Sequence, residues 1–339
     1  MSSDSLKTLF HAYSSGMVDL PASGRWIVAG IGAGLALPQG FGASLKLVQP
    51  FKPDHDALAR SGFDVTPVWP EASGERFDGA LILLGRHRGQ NESWLWEAVS
   101  RLKPGAPVVV AGGKTEGVQS FAKRLKAAGL ELETAAKHHG LAMMFRRPDD
   151  RASEHIFLPP AEENLVEGRF RTAPGMFSHD RVDAGSRLLA GHLPADLKGR
   201  AADFCSGWGY LSAELTERAQ GISSVDLFEA DHDALDAARQ NLAGLGGRVS
   251  FHWADLAREK VARAYDVIVM NPPFHTGRAA EPGLGQAIIR TASDACKPGG
   301  TLLLVANRQL PYEAALSAGF RKVSMVAEDR TYKVIRATR

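Results

Sequence analysis

The chain has 339 residues, of which 44% are hydrophobic and 23% are charged, and its formal net charge is +2. This balance is typical of a globular protein with about two domains, and it excludes a disordered or collagen-like chain. Two cysteines, Cys205 and Cys296, are too few for a disulfide scaffold or for a zinc site built from several thiolates. No apolar stretch is long enough to span a bilayer and no signal sequence is visible, so we expect a cytoplasmic protein. The near-neutral charge neither favours nor excludes a nucleic-acid partner.

The first half of the chain carries a weak α/β pattern, which we expect to form one domain over residues 1–150. An apolar strand follows Phe77 and Asp78, and a helical segment leads to a Lys-Pro-Gly turn at Lys103 and then to the apolar strand 107–111. The glycine-rich segment 29–34 resembles a dinucleotide-binding loop. It has no acidic residue at the required distance on a following strand, so we interpret it as a structural turn.

A linker separates the two halves of the chain. The segment 146–167 contains early charges and a Pro-Pro step but no sustained periodicity, which is typical of a linker. After it, strands and helices alternate, and this alternation predicts a doubly wound sheet in a second domain over residues 151–339. The predicted strands are 201–204, 223–228, 249–253, 265–270 and 301–306, the predicted helices are 211–218, 232–242 and 286–296, and an antiparallel pair at 320–326 and 332–337 closes the sheet.

The second half repeats the pattern of the first. Tyr265 and Asp266 open an apolar strand, a helical segment follows, and a Lys-Pro-Gly turn at Lys297 precedes the next apolar strand. We therefore expect an α/β protein with two tandem Rossmann-like, doubly wound domains, of which the first is a degenerate copy. The copies differ after the strand, where the second reads Asn-Pro-Pro-Phe from Asn271 and the first reads Gly-Arg-His-Arg from Gly85. Because ligands bind at the carboxyl ends of parallel strands, this difference falls where chemistry is expected.

Three acidic residues lie at the ends of three consecutive strands of the second half. Asp203 begins the turn Asp-Phe-Cys-Ser-Gly-Trp-Gly, in which Gly207 and Gly209 let a ligand approach the backbone and the next helix offers free N–H groups. Glu229 ends the second strand, where a carboxylate can accept both hydroxyls of a ribose; the alternative is an acid that only starts the next helix. Asp255, after the third strand, can accept a hydrogen bond from an adenine amino group. Together the three predict a ligand site more strongly than any one of them alone.

The sequence Asn271-Pro272-Pro273-Phe274 follows the strand that ends at Met270. Two successive prolines cannot continue a strand ladder, so they fix a rigid, extended turn. Asn271 offers a side-chain carbonyl and Pro272 a backbone carbonyl, and two acceptors in a rigid fork suit a planar amino group. Phe274 offers a face on which a flat base can stack. This turn therefore predicts a pocket for a planar amine.

These motifs resemble those of class I S-adenosylmethionine-dependent methyltransferases with an Asn-Pro-Pro-aromatic motif, and among them the ribosomal RNA guanine-N2 methyltransferases of the RsmC/RlmG type. The resemblance covers residues 174–337 and extends weakly into the first half. Its stretches are PGMFSHDRVDAGS from Pro174, NPPFHTG from Asn271, VAN from Val305, LPY from Leu310 and YKVIRA from Tyr332. In that family the N-terminal domain is a methyltransferase-like copy without a cofactor site, which agrees with the degenerate pattern of residues 1–150.

The resemblance implies S-adenosylmethionine as the cofactor and ribosomal RNA or a ribosomal subunit as the substrate. The implied cofactor-binding residues are Asp203, Gly207, Gly209, Glu229, Asp255 and Asn271, the implied catalytic residues are Asn271, Pro272 and Phe274, and the implied substrate-binding residues are Phe177, Asp180, Pro273, Phe274 and His275. No metal and no membrane are implied. The oligomeric state stays open, with a monomer favoured.

One residue departs from the family pattern. The family loop usually reads Asp-x-Gly-x-Gly-x-Gly, and Cys205 replaces its first glycine. The added side chain either narrows the cofactor site or is tolerated there. We interpret Cys205 as a small packing residue rather than as a nucleophile, because an activated sulfonium donor needs no covalent enzyme intermediate.

The sequence therefore predicts an enzyme that methylates the exocyclic N2 amine of a guanine in ribosomal RNA, after the base has left its stack. We expect residues 1–150 to serve RNA recognition or structural support. Two alternatives share the planar amine: methylation of adenine at N6 and methylation of a protein glutamine at N5. A third alternative is a non-catalytic RNA-binding or ribosome-assembly protein, to which the Cys205 departure and the degenerate first domain point.

Overall fold

Two units divide the chain, Met1–Glu162 and Glu163–Arg339, and the computed structural model describes residues 3–148, 164–273 and 282–339. The helices are α1 (Ser3–Ser14), α2 (Lys52–Arg60), α3 (Arg88–Ser100), α4 (Val118–Ala127), α5 (Ala184–Gly191), α6 (Tyr210–Arg218), α7 (His232–Asn241), α8 (Pro282–Ala295) and α9 (Glu313–Gly319). The strands of the first unit are β1 (Arg25–Ala29), β2 (Ser44–Val48), β3 (Asp64–Thr66), β4 (Gly79–Leu83), β5 (Pro107–Gly113), β6 (Glu133–Lys137) and β7 (Gly140–Arg146). Those of the second are β8 (Asn164–Val166), β9 (Phe170–Thr172), β10 (Lys198–Phe204), β11 (Gly221–Glu229), β12 (Val249–Trp253), β13 (Tyr265–Met270), β14 (Cys296–Asn307), β15 (Lys322–Glu328) and β16 (Tyr332–Thr338).

Each unit is built on a seven-stranded sheet, and the two sheets have the same strand order. In the first unit, β3, β2, β1, β4 and β5 are parallel neighbours, and β7 lies antiparallel between β5 and β6. In the second unit, β12, β11, β10, β13 and β14 are parallel neighbours, and β16 lies antiparallel between β14 and β15. The prediction of two tandem doubly wound domains is therefore confirmed.

The central strand of the second sheet is apolar from Val267 to Met270, where both of its faces are covered. Val267 and Val269 of β13 pack on one face, in a cluster that includes residues of α5, α6 and α7. Ile268 and Met270 pack on the other face, in a cluster that includes residues of α8 and α9. This layering fixes the strand ends, and with them the turns that follow β10, β11 and β13.

The predicted helix 286–296 is wrong at its last residue, and the following strand is longer than predicted. Helix α8 ends at Ala295, and Cys296 is already the first residue of β14, where it pairs with Tyr265. The residue before a proline is disfavoured in the helical region, so Pro298 prevents the helix from continuing through Lys297.

The predicted linker 146–167 contains a strand at its end. Asn164–Val166 forms β8, which pairs with β9 in a small antiparallel sheet. Residues 149–163 of the predicted linker lie outside the described residues. The segment nearest the second sheet is therefore structured, although its composition indicated a linker.

An ion pair fixes the amino-terminal end of the central strand in the first unit. Asp78 Oδ1 accepts a hydrogen bond from Lys103 Nζ at 2.7 Å, and Asp78 Oδ2 accepts one from the backbone N–H of Arg25 at 2.8 Å. Gly24 has φ of 99°, and a Cβ at this glycine would lie 2.8 Å from Asp78 Oδ2. The close approach therefore requires glycine.

The second unit repeats this arrangement with its own residues. Asp266 Oδ2 accepts from Lys297 Nζ and from the backbone N–H of Arg200, both at 2.9 Å. Gly199 has φ of 91°, and a Cβ there would clash with Asp266. The Lys-Pro-Gly turn that the two halves share thus supplies, in each unit, the lysine that pairs with the aspartate of the central strand.

Candidate active site

The turn between β10 and α6 exposes its backbone to open space. Cys205, Gly207 and Gly209 have φ of 60°, 53° and 89°. Glycine adopts this left-handed region without penalty, whereas a residue with a Cβ loses about 1–2 kcal/mol. A Cβ at Gly207 would meet no atom of the described residues within 4 Å. A ligand can therefore approach the main chain at this turn.

Glu229 ties the turn to the end of β11. Its Oε2 accepts from the backbone N–H of Gly207 at 2.7 Å, and its Oε1 accepts from the N–H groups of Ala230 and Asp231 at 2.8 and 3.0 Å. Burial raises the pKa of the Glu229 carboxyl, and these N–H groups oppose the rise. A carboxylate has about four acceptor positions, so room for one further donor remains. The predicted contact with both ribose hydroxyls requires one of the three present bonds to be replaced.

Asp203 is fully buried near the end of β10. Its Oδ2 accepts from Ser212 Oγ at 2.7 Å, whereas its Oδ1 has no partner among the described residues. Burial raises the pKa of Asp203 to about 7, the charge of Glu229 adds to the rise, and the bond from Ser212 opposes it. A buried oxygen without a donor is unfavourable. A bound cation or N–H donor would satisfy it.

Cys205 lies among the three predicted acidic residues. Burial raises the pKa of its thiol well above the usual value, and the negative charges of Glu229, Asp203 and Asp255 raise it further. The thiol therefore stays protonated at neutral pH, which argues against a nucleophile and agrees with a packing role. Strand pairing places the ends of β10, β11 and β12 side by side, with Phe204 opposite Phe228 and Glu229 opposite Trp253.

Asp255 is buried in the turn after β12. Its Oδ1 accepts from the backbone N–H of Ala257 at 3.1 Å, and its own N–H donates to Glu259 Oε1 at 2.8 Å. Its Oδ2 makes a longer ion-pair contact of 3.7 Å with Arg258. The predicted contact with an adenine amino group would use this second oxygen.

Asn271 follows β13 and is held by the start of α5. Its Nδ2 donates to Asp183 Oδ1 and to Ser186 Oγ, both at 2.9 Å. With both amide hydrogens used on one side, the carbonyl oxygen of Asn271 faces the other way. The side-chain acceptor that the sequence predicted is thus oriented by a neighbouring helix.

The prolines after Asn271 differ in exposure. Pro272 is buried and Pro273 is exposed. This is consistent with a turn whose first proline packs against the protein and whose second faces outward. Phe274 and His275, predicted to contact the substrate, lie outside the described residues.

One pocket joins the glycine turn to Asn271. Its lining residues are Phe177, Ser178, Asp183, Ser186, Cys205, Ser206, Gly207, Trp208, Tyr210, Leu211 and Asn271. Phe177 is 58% exposed, and its backbone carbonyl accepts from Trp208 Nε1 at 3.0 Å, which fixes its position at the rim. Asp180 lies on the surface, with 59% of its side chain exposed, and it is not among these lining residues.

Sequence reasoning assigned no role to Asp183, Ser186 and Ser206, although all three line the pocket. A signal for Asp183 was present, because an aspartate directly before a helical segment is a typical N-cap. Asp183 is the N-cap of α5 and accepts from the backbone N–H of Ser186 at 2.8 Å. Ser206 lies inside the glycine motif, and its buried hydroxyl has no partner among the described residues.

Comparisons with known proteins bear on this pocket. The family model "Methyltransferase small domain" matches residues 167–336. The "Ribosomal RNA small subunit methyltransferase C" of Chromohalobacter salexigens is 32% identical over 270 residues, which cover 77% of this chain and 78% of the relative. The chain belongs to the methyltransferase small-domain family. The resemblance that the motifs indicated is confirmed.

Other relatives of this small-domain methyltransferase extend the match over both units. The protein of the same name from Pseudomonas aeruginosa is 30% identical, and the alignment covers 89% of this chain and 90% of the relative. A solved structure, described as the T. thermophilus 16S rRNA N2 G1207 methyltransferase (RsmC) in complex with AdoMet and guanosine, matches with a TM-score of 0.77. The match covers 99% of this chain and 91% of that one at 22% identity, so it shows a common fold.

Two further structural findings concern this small-domain methyltransferase. Within residues 3–148, 164–273 and 282–339, no helix is long and apolar enough to cross a membrane. Over the same ranges, no group of three or more His, Cys, Asp or Glu side chains is arranged to hold a metal ion.

Proposed function

We propose that this protein transfers a methyl group from S-adenosylmethionine to the exocyclic N2 amine of a guanine in small-subunit ribosomal RNA. The observation that carries the proposal is the single pocket shared by the glycine turn and Asn271. Methyl transfer needs the donor carbon and the acceptor nitrogen in line at contact distance, and a pocket that both motifs line would hold the two reactants next to each other. The names of the relatives from Chromohalobacter salexigens and Pseudomonas aeruginosa support small-subunit ribosomal RNA as the substrate.

The residues of the glycine turn fit S-adenosylmethionine. Asp203 Oδ1 and Ser206 Oγ are buried without a partner among the described residues, and the backbone at Gly207 faces open space. Asp203 would attract the positive charge of the methionine part, Glu229 would accept from the ribose, and Asp255 would accept from the adenine amino group. When bound, S-adenosylmethionine supplies a methyl group that its sulfonium charge activates.

Asn271 and Pro272 would hold the guanine amine through two acceptors, the side-chain carbonyl and the backbone carbonyl. The N2 lone pair is delocalised into the ring, so the free amine is a poor nucleophile. Two hydrogen bonds from its N–H groups favour a pyramidal nitrogen whose lone pair faces the methyl carbon. As the nitrogen–carbon bond forms and the carbon–sulfur bond breaks, positive charge develops on the nitrogen, and the two acceptors stabilise it. The proton leaves to solvent after transfer, so no general base is assigned.

The aromatic side chains would hold the flipped base between flat surfaces. Phe177, exposed at the pocket rim, offers one such surface, and Phe274 is proposed to offer another. Pro273, Asp180 and His275 are proposed to contact the RNA around the target nucleotide. Stacking on aromatic rings offsets the loss of stacking within the RNA.

We propose that the first unit, residues 1–150, serves RNA recognition or structural support, while residues 151–339 carry the chemistry. The glycine-rich segment of the first unit supports this division, because Asp54 Oδ1 accepts from the backbone N–H of Ala33 at 2.9 Å and thereby closes the turn. Binding of small-subunit rRNA by the full chain and by residues 163–339 alone tests the division. Equal affinity would argue against a role in RNA recognition.

The test of the proposed function is to identify the methylated product. The full chain and S-adenosylmethionine are incubated with small ribosomal subunits from cells that lack the modification, and the RNA nucleosides and the protein peptides are then analysed separately by mass spectrometry. We expect N2-methylguanosine, which is lost with Glu229→Ala. N6-methyladenosine or a methylated protein glutamine would contradict the proposal, and absence of methyl transfer to any of these would favour a non-catalytic RNA-binding protein.

A further inference from the structure

We infer that Asp183 and Ser186 are positioning residues that hold Asn271 so that its side-chain carbonyl faces the target amine. The inference rests on the proposed function, because it concerns the acceptor side of the same pocket. Its basis is a pair of hydrogen bonds from one amide nitrogen. Asn271 Nδ2 donates to Asp183 Oδ1 and to Ser186 Oγ, both at 2.9 Å, and all three residues line the pocket.

The carboxylate of Asp183 decides which end of the Asn271 amide faces it. An ionised carboxylate only accepts hydrogen bonds, so the NH₂ end of the amide must lie against it. A flipped amide would place the carbonyl oxygen of Asn271 against the carboxylate of Asp183 and lose that bond, whereas the hydroxyl of Ser186 can pair with either end of the amide. The clamp formed by Asp183 and Ser186 therefore leaves the carbonyl oxygen of Asn271 for the pocket, which a guanine amine requires.

The clamp is itself held by the start of a helix. Asp183 Oδ1 also accepts from the backbone N–H of Ser186 at 2.8 Å, as the N-cap of α5. The positive end of the helix dipole stabilises the carboxylate charge. Between the two residues, a Cβ at Gly185 would lie 2.9 Å from the ring of Tyr332, so the helix start packs closely on β16. The orientation of Asn271 is thus set by a packed element rather than by its own turn.

The charge of Asp183 also acts through the amide that it orients. A hydrogen bond from Nδ2 to a carboxylate polarises the amide and increases the negative charge on its carbonyl oxygen. The target nitrogen becomes positively charged only during methyl transfer, so a more negative acceptor stabilises the transition state more than the bound substrate. Loss of the charge should therefore lower kcat more than it raises KM for RNA.

Two substitutions separate the charge from the hydrogen bond. Asp183→Asn keeps an acceptor and a good N-cap but removes the charge, and we expect kcat to fall about 10-fold with KM for RNA and the Kd of S-adenosylmethionine within about twofold. Asp183→Ala removes the acceptor as well, and we expect a fall of about 100-fold. Ser186→Ala, which keeps the carboxylate, should have a smaller effect than Asp183→Ala. Wild-type kcat in Asp183→Asn would overturn the role of the charge, and wild-type kcat in Asp183→Ala would overturn the inference.

A structural role alone predicts a different pattern. The control is Asp231→Ala, which removes the N-cap of α7, where Asp231 accepts from the backbone N–H of Asp233 at 3.0 Å. The fall in Tm of this variant measures how much stability the loss of a cap alone removes. If Asp183 acts through Asn271, Asp183→Asn should have no further effect on kcat in an Asn271→Ala background. An equal loss in both backgrounds would overturn the inference, because the carboxylate would then act independently of Asn271.

A second measurement does not depend on methyl transfer. In the ¹⁵N spectrum of the full chain, the side-chain NH₂ of Asn271, assigned by its loss in Asn271→Ala, should exchange slowly with solvent. Its exchange should accelerate at least about 10-fold in Asp183→Ala, since a protected amide exchanges only when its bonds open. Unchanged exchange would overturn the clamp. If the wild-type chain made no N2-methylguanosine while this protection was present, the result would contradict the proposed function but would still support the hydrogen bonds that hold Asn271.

Discussion

The two units have matching side chains at the amino-terminal ends of their parallel strands and different side chains at the carboxyl ends. At the amino-terminal edge, Asp78 pairs with Lys103 in the first unit as Asp266 pairs with Lys297 in the second. At the carboxyl edge, the strand registers place Val28, Gln49 and Leu83 of the first unit at the positions of Asp203, Glu229 and Asn271 of the second. The contacts that hold the fold are thus kept in both units, and the ligand-type side chains are present in only one.

Gln49 shows how the first unit uses its carboxyl edge. Its Nε2 donates to the backbone carbonyl of Ile31 at 2.8 Å, and its Oε1 accepts from the N–H of Phe51 at 3.0 Å. Like Glu229, it ties the turn after the first strand to the end of the second strand. It does so without charge and with both ends of its amide occupied, so the position serves the fold. On the proposed function, a few side chains at strand ends distinguish the unit that binds the cofactor from the unit that does not.

The largest expected effect on kcat comes from substitution of Asn271, and substitution of Leu83, which occupies the same position in the first unit, provides the comparison. Asn271→Ala should lower kcat by about 100- to 1,000-fold, since it removes an acceptor that acts on developing charge, and leave the Kd of S-adenosylmethionine within about twofold. Leu83→Ala, in a buried apolar position, should instead destabilise the protein by about 2–5 kcal/mol. Methyl transfer assays and thermal unfolding of both variants measure the contrast. Near-normal methyl transfer by Asn271→Ala would contradict the proposed catalytic role of Asn271.

The next largest effect is expected when Glu229 and Gln49, which occupy the same position in the two units, are each replaced by the side chain of the other. Glu229→Gln gives the second unit the amide of Gln49, and the Kd of S-adenosylmethionine should rise about 10- to 100-fold because hydrogen bonds to a charged acceptor are lost. The reverse change, Gln49→Glu, should create no second site and should destabilise the protein, since a carboxylate would face the carbonyl of Ile31. Calorimetric titration measures both affinities. Unchanged cofactor affinity in Glu229→Gln would show that the carboxylate does not bind the cofactor.

A pH dependence belongs to the second unit alone, because Val28 replaces Asp203 in the first. Burial raises the pKa of Asp203 to about 7. A cationic ligand favours the ionised carboxylate, so cofactor affinity should rise with pH, by at most about tenfold per unit, and level off above this pKa. Asp203→Asn should flatten the profile between about pH 5 and 8. A profile equally steep in the variant would assign the titration to another group.

The same group affects stability with the opposite sign. Because its pKa in the folded state is raised, the folded chain keeps a proton that the unfolded chain releases between about pH 4 and 7. The contribution of Asp203 to the free energy of unfolding therefore falls as pH rises through this window. Comparison of unfolding of the wild-type chain and Asp203→Asn at several pH values measures it.

The smallest expected effect is on the free energy of unfolding, when the lysine of either ion pair at the amino-terminal end of the central strand is replaced. Lys103→Met and Lys297→Met should each cost at most about 1 kcal/mol, because both ion pairs are partly exposed. The hydrogen bond from Lys103 lowers the pKa of Asp78; at Asp266 burial alone would raise the pKa, but Lys297 and the N–H of Arg200 outweigh it. With lowered folded pKa values, this stabilisation is present above about pH 4 and is lost as pH falls below it. A much larger loss in one unit than in the other would contradict an equivalent role.

Much of the fold was predictable because it follows from local pattern. The apolar run of β13 and the repeated Lys-Pro-Gly turn predicted the strand and the duplication, and the structure supplies their physical reasons in two-sided burial and in the paired lysine. The end of α8 was missed because Pro298, rather than hydrophobic spacing, determines where the helix stops. Helical periodicity alone could not indicate that Cys296 leaves the helix for β14.

The candidate site was predictable at the strand ends but not in its supporting contacts. Strand order places Asp203, Glu229 and Asn271 at one edge, and their residue types indicate the ligand. The bond between Asn271 and Asp183 joins residues 88 positions apart, and no local pattern contains it. The three N–H donors on Glu229 likewise follow from the turn geometry of the folded chain, which the sequence does not show.

The central claim is that one unit binds the cofactor and the other has lost that site. Calorimetric titration of the full chain with S-adenosylmethionine tests it most directly, alongside Glu229→Ala and Gln49→Ala. We predict one binding event per chain, abolished by Glu229→Ala and retained in Gln49→Ala. Two binding events per chain, or binding that survives Glu229→Ala and disappears with Gln49→Ala, would contradict the account.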